Sequence, residues 1–274
     1  MLDREIREAA RIARHAGAIL MKIYATDFAV SYKGRADPVT EADMQANAYI
    51  VGELREHFPE DGIVAEETTD KSDALKPGRC WYVDPLDGTK EFIERNGEFS
   101  VMLGLAIDGR SSAGVVYQPT TDKLYAGAVG SGAYLEEMGV RRELKVSDVS
   151  DTSRLRLVVS RSHRNRAVDE VVRKLDVEHE LALGSVGLKA GLIAEQKADL
   201  YLHISDRSSA WDACGPEAVL QAAGGRFTDL GGNAYHYGGT DMRNRAGIIA
   251  CNAAAYDAVL PVVREAARKK GLIP

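Results

Sequence analysis

The run Trp81-Tyr82-Val83-Asp84-Pro85-Leu86-Asp87-Gly88-Thr89-Lys90-Glu91-Phe92 constrains this chain more than any other stretch. It places two carboxylates and a hydroxyl on one turn, between an apolar run and a segment able to start a helix. Cys80 to Val83 reads as the end of a buried strand, Asp84-Pro85 and Asp87-Gly88 carry turn chemistry, and Lys90 to Arg95 continues as helix. A turn at a strand end and a helix N-terminus offers free N–H groups and a positive dipole end to an anion. Its carboxylates, a backbone carbonyl and the Thr89 hydroxyl suit a hard cation such as magnesium. Either aspartate pair alone, with Thr89 as a cap, is ordinary turn chemistry.

Two further segments carry acids in apolar surroundings. Gly62-Ile63-Val64-Ala65-Glu66-Glu67-Thr68 is an apolar run ending in two glutamates. Ser209-Ala210-Trp211-Asp212-Ala213-Cys214-Gly215-Pro216-Glu217 holds Asp212 between Trp211 and Ala213. Burial there without a partner is costly, and a cation is one such partner. Thr40-x-x-Asp43, ahead of Ile50, Val51 and Leu54, fits a helix capping box.

Four pieces in order resemble the inositol monophosphatase superfamily of magnesium-dependent, lithium-sensitive phosphatases. They are Asp37-Pro38-Val39-Thr40-Glu41-Ala42-Asp43, Ala65-Glu66-Glu67-Thr68, Asp84-Pro85-Leu86-Asp87-Gly88-Thr89, and Trp211-Asp212 followed by Gly224-Gly225. The resemblance spans nearly the whole chain. It implies a layered αβαβα sugar-phosphatase fold and roughly two or three magnesium ions. Glu66, Asp84, Asp87 and Asp212 would be metal-binding carboxylates, joined by the Leu86 carbonyl. Glu67 would support an outer metal or its water. Asp43 would hydrogen-bond Thr89, whose hydroxyl orients the water that attacks phosphorus; the capping role of Asp43 is compatible with this one. The implied reaction needs no protein nucleophile and no phosphoenzyme.

Within that superfamily, Lys90-Glu91-Phe92, Ser160-Arg161-Ser162-His163-Arg164 and Trp211 to Glu217 are similar to the CysQ-like 3'(2'),5'-bisphosphate nucleotidase branch. This implies a small phosphate ester as partner, adenosine bisphosphate above all. Gly88, Thr89 and Lys90 would contact the substrate. Ser160, His163 and Arg164 would do the same, since arginine pairs with phosphate through two parallel N–H bonds and histidine can stack on a base. Read from residues alone, that segment is equally a solvated basic loop. Gly184, Ser185 and Lys189 form another candidate contact, because small residues admit a ligand to the backbone and Lys189 could reach a phosphate; the plain alternative is a helix start with Ser185 as N-cap. Asp206 to Ser209 is a candidate pocket closure. A rival reading is an inositol or other polyol monophosphatase. A third, of another class, is a nucleotide or metal sensor, against which the water-orienting threonine argues.

With 274 residues and 45% hydrophobic content the chain can build one large core or two joined domains. A net charge of -6 offers no basic stripe to a nucleic-acid polymer. Cys80, Cys214 and Cys251 lack metal or redox spacing and read as reduced core residues, which points to the cytoplasm. The opening Met1-Leu2-Asp3-Arg4-Glu5 turns directly amphipathic without a signal-peptide core, and no run is long enough to span a bilayer. Monomer and homodimer both stay open.

Helical spacing covers Ile6 to Ile23 and about Met44 to His57. Strand patterns at Ser100 to Ala106, Ala113 to Tyr117, Lys123 to Val129 and Gly132 to Glu136 then predict an antiparallel meander, hence an α+β domain over 1–146. From 147 to 274 the rhythm is α/β: strand Leu155 to Ser160, helices Ala167 to Leu175 and Ser185 to Gln196, strand Asp199 to Ile204, helix Trp211 to Ala223, strands Gly225 to Asp229 and Gly247 to Cys251, and a last helix from Ala254 to Lys270. No low-complexity linker separates the halves, so they should pack tightly around a shared active site.

Overall fold

The computed structural model describes residues 2–34, 37–162 and 164–274. Helices α1 (Asp3–Tyr24) and α2 (Glu41–His57) are joined by a hairpin of β1 (Val30–Gly34) and β2 (Asp37–Thr40). They cover one face of a seven-stranded sheet ordered β3 (Gly62–Ala65), β4 (Arg79–Asp87), β5 (Ser100–Ile107), β6 (Arg110–Gln118), β7 (Lys123–Ala128), β8 (Gly132–Glu137) and β9 (Val140–Leu144). A short helix, α3 (Thr89–Ile93), follows β4. The second sheet has five strands in the order β11 (His179–Leu183), β10 (Arg156–Ser160), β12 (Leu200–His203), β14 (Ile248–Cys251) and β13 (Arg226–Thr228). Helices α5 (Val186–Ala194) and α6 (Ala210–Ala222) fill the space between the sheets, while α4 (Arg166–Leu175) and α7 (Ala253–Lys269) cover the outer face. The layers therefore run αβαβα, as the family resemblance implies. Among the described residues no helix is long and apolar enough to cross a membrane.

Central strands here are buried on both faces, which is why they read as continuous apolar runs. On β5, Val101, Leu103 and Leu105 face α1 and α2, while Met102 and Ala106 face the middle layer. The meander from β4 to β9 is antiparallel and β3 joins it in parallel. Strands β9 and β11 are absent from the periodicity reading. Both are edge strands, and Val140 to Glu143 and His179 to Leu181 are exposed, so neither carries an apolar alternation.

Helix α6 is the element shared by both halves: its sequence belongs to the second, yet it lies on β5 and β6 of the first sheet. Glycines permit the approach. A Cβ at Gly104 would stand 2.3 Å from Gly215 N, and one at Gly114 would stand 2.2 Å from Gly215 O. Ser111 Oγ also donates to Cys214 O at 2.7 Å. Gly114→Ala must push backbone against backbone, so it is expected to cost about 1–3 kcal/mol or more. A denaturant titration with an unchanged midpoint would refute this account of the helix-to-sheet contact.

Candidate metal and phosphate site

The acids of the Asp84 to Thr89 turn share one side of the sheet because β4 is irregular there. Asp84 pairs with Met102 and Asp87 with Ser100, so β4 carries one more residue than β5 across the same interval. In a regular strand, residues three apart point to opposite faces; the bulge turns both carboxylates the same way. Parallel pairing of Ala65 with Val83 and a 3.0 Å bond from Glu66 N to Val83 O then set Glu66 beside Asp84. Asp212, in the first turn of α6, completes the group close enough to Asp84 for the two charges to repel. Glu67 follows Glu66 on the same segment and is half-buried.

Each of the aspartates is pinned through one oxygen by a backbone amide. Leu86 N donates to Asp84 Oδ1 at 2.9 Å, Gly187 N to Asp87 Oδ2 at 3.1 Å, and Ser209 N to Asp212 Oδ2 at 2.8 Å. Asp43 is held alike: Thr40 N and Thr40 Oγ1 donate to its Oδ2 at 2.8 and 2.6 Å in a complete capping box. Thr89 Oγ1 lies 3.3 Å from both Asp43 Oδ1 and Leu86 O. The capping role of Asp43 and its contact with Thr89 thus coexist, one on each oxygen.

The carboxyls repel one another. Burial raises Asp84 well above the usual carboxylate range, and Glu66, Asp87 and Asp212 raise it further. Asp212 is raised by burial, then by Asp87 and Glu66. Burial also raises Asp87, opposed by the Lys189 ammonium and by the donors Ser185 and Gly187. Carboxylates held this close need positive charge, and the donor set is all oxygen: Glu66, Asp84, Asp87, Asp212 and the Leu86 carbonyl. That chemistry fits a hard divalent cation and not a thiophilic one.

The candidate substrate segments are placed unevenly. Gly88, with φ +99°, and half-buried Thr89 and Lys90 begin α3 beside the acids. Ser160 ends β10, and Ser162 Oγ donates to Glu91 Oε1 at 2.5 Å, which brings this segment against α3. His163 lies outside the described residues. Arg164 is exposed, and its guanidinium is engaged by Asp169 at 2.8 Å and by Glu180. Arg161 is likewise taken by Glu98. Gly184 packs so tightly on α3 that a Cβ would stand 2.5 Å from Glu91 Cγ, and its N–H donates to Glu98. Lys189 is 2% exposed, donates to Leu183 O at 3.3 Å and sits over the Tyr201 ring. Burial lowers its pKa to about 8 against the pull of Asp87, Glu91, Glu98 and Asp212, so it stands as an internal counter-ion. Asp206 and Arg207 are exposed, whereas Ser208 is buried with its carbonyl on Asn244 N.

Sequence reasoning left out Ser100, Glu98 and Lys71. Lys71 Nζ donates to Ala65 O and, at 3.0 Å, to Glu66 O, and lies 4.7 Å from the Trp211 ring centre. It ties the Glu66 segment to the residue before Asp212, and no local pattern announces it. Cys214 is fully buried, and burial raises its thiol well above its ordinary value, which leaves no thiolate for attack.

Known proteins match this chain along most of its length. A model of the inositol monophosphatase family matches residues 2–268. A 3'(2'),5'-bisphosphate nucleotidase CysQ of Escherichia coli K12 is 36% identical over 240 residues, covering 86% of this chain and 94% of that protein. Among solved structures, an IMPase of Thermotoga maritima superposes with a TM-score of 0.82 at 26% identity, covering 97% of this chain and 99% of the other. CysQ from Bacteroides thetaiotaomicron does so with 0.78 at 28% identity, covering 93% and 98%.

The raised carboxyls carry a stability consequence. A carboxyl whose folded pKa lies above its unfolded one binds more protons when folded, so the metal-free protein loses stability as pH rises through that window. A hard divalent cation at a hundredfold excess over its Kd should restore about 2.7 kcal/mol near pH 7.5. The gain should shrink toward pH 5, where protons occupy the same oxygens. Thermal midpoints with and without cation test this; equal gains at both pH values would count against the carboxylate group as the binding place.

Proposed function

The chain belongs to the inositol monophosphatase family and is a phosphatase, and from that premise we propose that it is a magnesium-dependent phosphomonoesterase acting on the 3'-phosphate of adenosine 3',5'-bisphosphate. The reading rests on one observation above others: pinned carboxylates of Asp84, Asp87 and Asp212 stand beside a threonine hydroxyl that is itself held by Asp43. Magnesium held by Glu66, Asp84, Asp87, Asp212 and the Leu86 carbonyl supplies the positive charge that an anionic ester and its attacking water both require. Glu67 stands next to this set as support for an outer ion.

The chain's own groups do the rest. Asp43 Oδ1 accepts the Thr89 proton, which turns a Thr89 lone pair toward the pocket. There it accepts a hydrogen bond from water and fixes the direction of attack. Among the described residues no side chain caps α3, so amide groups of its first turn at Gly88, Thr89 and Lys90 are suited to the phosphoryl oxygens. The nucleotide reading is supported by the Ser162 to Glu91 contact, which sets the end of β10 and Ser162 beside the helix that carries Thr89. A substrate with its scissile phosphate at Thr89 would extend toward that segment. The nucleotidase named CysQ in Escherichia coli shares this chain's overall sequence at the level given above.

Phosphate release should be compared for adenosine 3',5'-bisphosphate and inositol 1-phosphate at equal low concentration with magnesium. A higher kcat/KM on the nucleotide is expected. Preference for inositol phosphate would keep the metal reading and overturn the substrate, while tight nucleotide binding without phosphate release would make the protein a sensor. Asp87→Asn should lower kcat on the order of 10²–10³-fold without unfolding the protein. Thr89→Ala should lose on the order of 10²-fold, and Thr89→Ser should recover most of it because the hydroxyl is retained. Equal rates for the alanine and serine variants would remove Thr89 from the orientation of water.

A further inference from the structure

Ser185 is the N-cap of α5 and its backbone sits at φ +54° and ψ +131°, a conformation that L residues rarely adopt. Such strain persists only where the surroundings over-determine it. Here they do. Ser185 Oγ lies 2.5 Å from Asp87 Oδ2, 2.9 Å from Ser100 Oγ and 3.1 Å from Leu188 N. A hydroxyl has one proton and two lone pairs. Leu188 N–H can only donate, and the carboxylate needs a donor, so the Ser185 proton goes to Asp87. The Ser100 hydroxyl must then donate to Ser185. Every hydrogen-bonding position of Ser185 Oγ is filled, which leaves none to offer a substrate.

Resting on the metal reading above, we infer that Ser185 is a positioning residue for Asp87, backed by Ser100 and assisted by Gly187 N–H, and that it sets the magnesium affinity of the site. The geometry gives the reason. Both donors fall on Oδ2, and among the described residues none is directed at Oδ1. The carboxylate is therefore held by one oxygen and presents the other. The Ser185 bond is short and charge-assisted, so it fixes the rotamer of a side chain that its neighbours would otherwise repel. Ser100 belongs to the first sheet and is fully buried, whereas Ser185 and Gly187 belong to the second half. The orientation of Asp87 thus depends on the two halves being seated on one another.

The test separates hydroxyl from strain. Ser185→Ala removes the hydroxyl and keeps the strained backbone; Ser185→Gly removes both. Magnesium affinity is measured by titration calorimetry on the whole chain, together with thermal midpoints. Both variants should bind magnesium about 10–100-fold more weakly than the parent. Ser100→Ala should lose less, because Ser185 keeps its bond to Asp87. The magnesium concentration giving half-maximal phosphatase activity should rise in step, with KM for the ester at saturating magnesium little changed. Parental affinity in both variants, or a loss in Ser185→Ala that Ser185→Gly restores, overturns the inference and leaves the metal reading intact. A parent protein that binds no magnesium overturns the metal reading itself, and the inference with it.

Discussion

Mutual repulsion among Glu66, Asp84, Asp87 and Asp212 is the constraint around which this molecule is arranged. The fold holds these groups in close quarters against an unfavourable interaction that burial makes worse. It does so with backbone amides, which cannot move away: Leu86, Gly187 and Ser209 each donate to one oxygen of one aspartate. Such a group is unfavourable by itself, and buried clusters of like charge are a common arrangement at functional sites.

The amides come from three separate parts of the chain, so the site cannot exist before the layers assemble. Leu86 belongs to the bulged end of β4, Gly187 to the first turn of α5 and Ser209 to the cap of α6. Gly104, Gly114 and Gly215 bring α6 into backbone contact with the first sheet and thereby set the position of Asp212 over the β4 turn. Gly184 plays the same part for the segment before α5, since a side chain there would meet Glu98 O and Glu91. Glycines on both sides of the contact between the first sheet and the middle layer therefore set where Asp212 and the segment before α5 sit.

Around the acids lies a ring of compensating charge. Lys189 is buried under Asp87 and Asp212, Lys71 clasps Ala65 and Glu66 while covering Trp211, and Arg161 engages Glu98 at the edge of α3. These cations are tied to carbonyls, rings and structural carboxylates. Lys189 moderates the repulsion at Asp87 directly.

The sequence by itself determined the acids and the layers. Apolar runs ending in Asp84 and Glu66, and an apolar segment enclosing Asp212, mark chemistry that burial alone would forbid, and two periodicities, helical and strand-like, distinguish the meander from the alternating second half. Motif order was sufficient for the family. What it could not determine depends on contacts between distant segments. Ser185 reads locally as an N-cap, which it is, but the destination of its proton is decided by Asp87 and Ser100, far away in the chain. Lys189 reads as a reaching cation, and its burial over the Tyr201 ring is not visible in the sequence; Arg164 reads as a phosphate ligand, and its engagement by Asp169 and Glu180 is not visible either. Edge strands β9 and β11 left no apolar alternation to find because half their surroundings is water. Residue type and spacing carry local chemistry; which partner a buried polar group finds is settled only when the layers close.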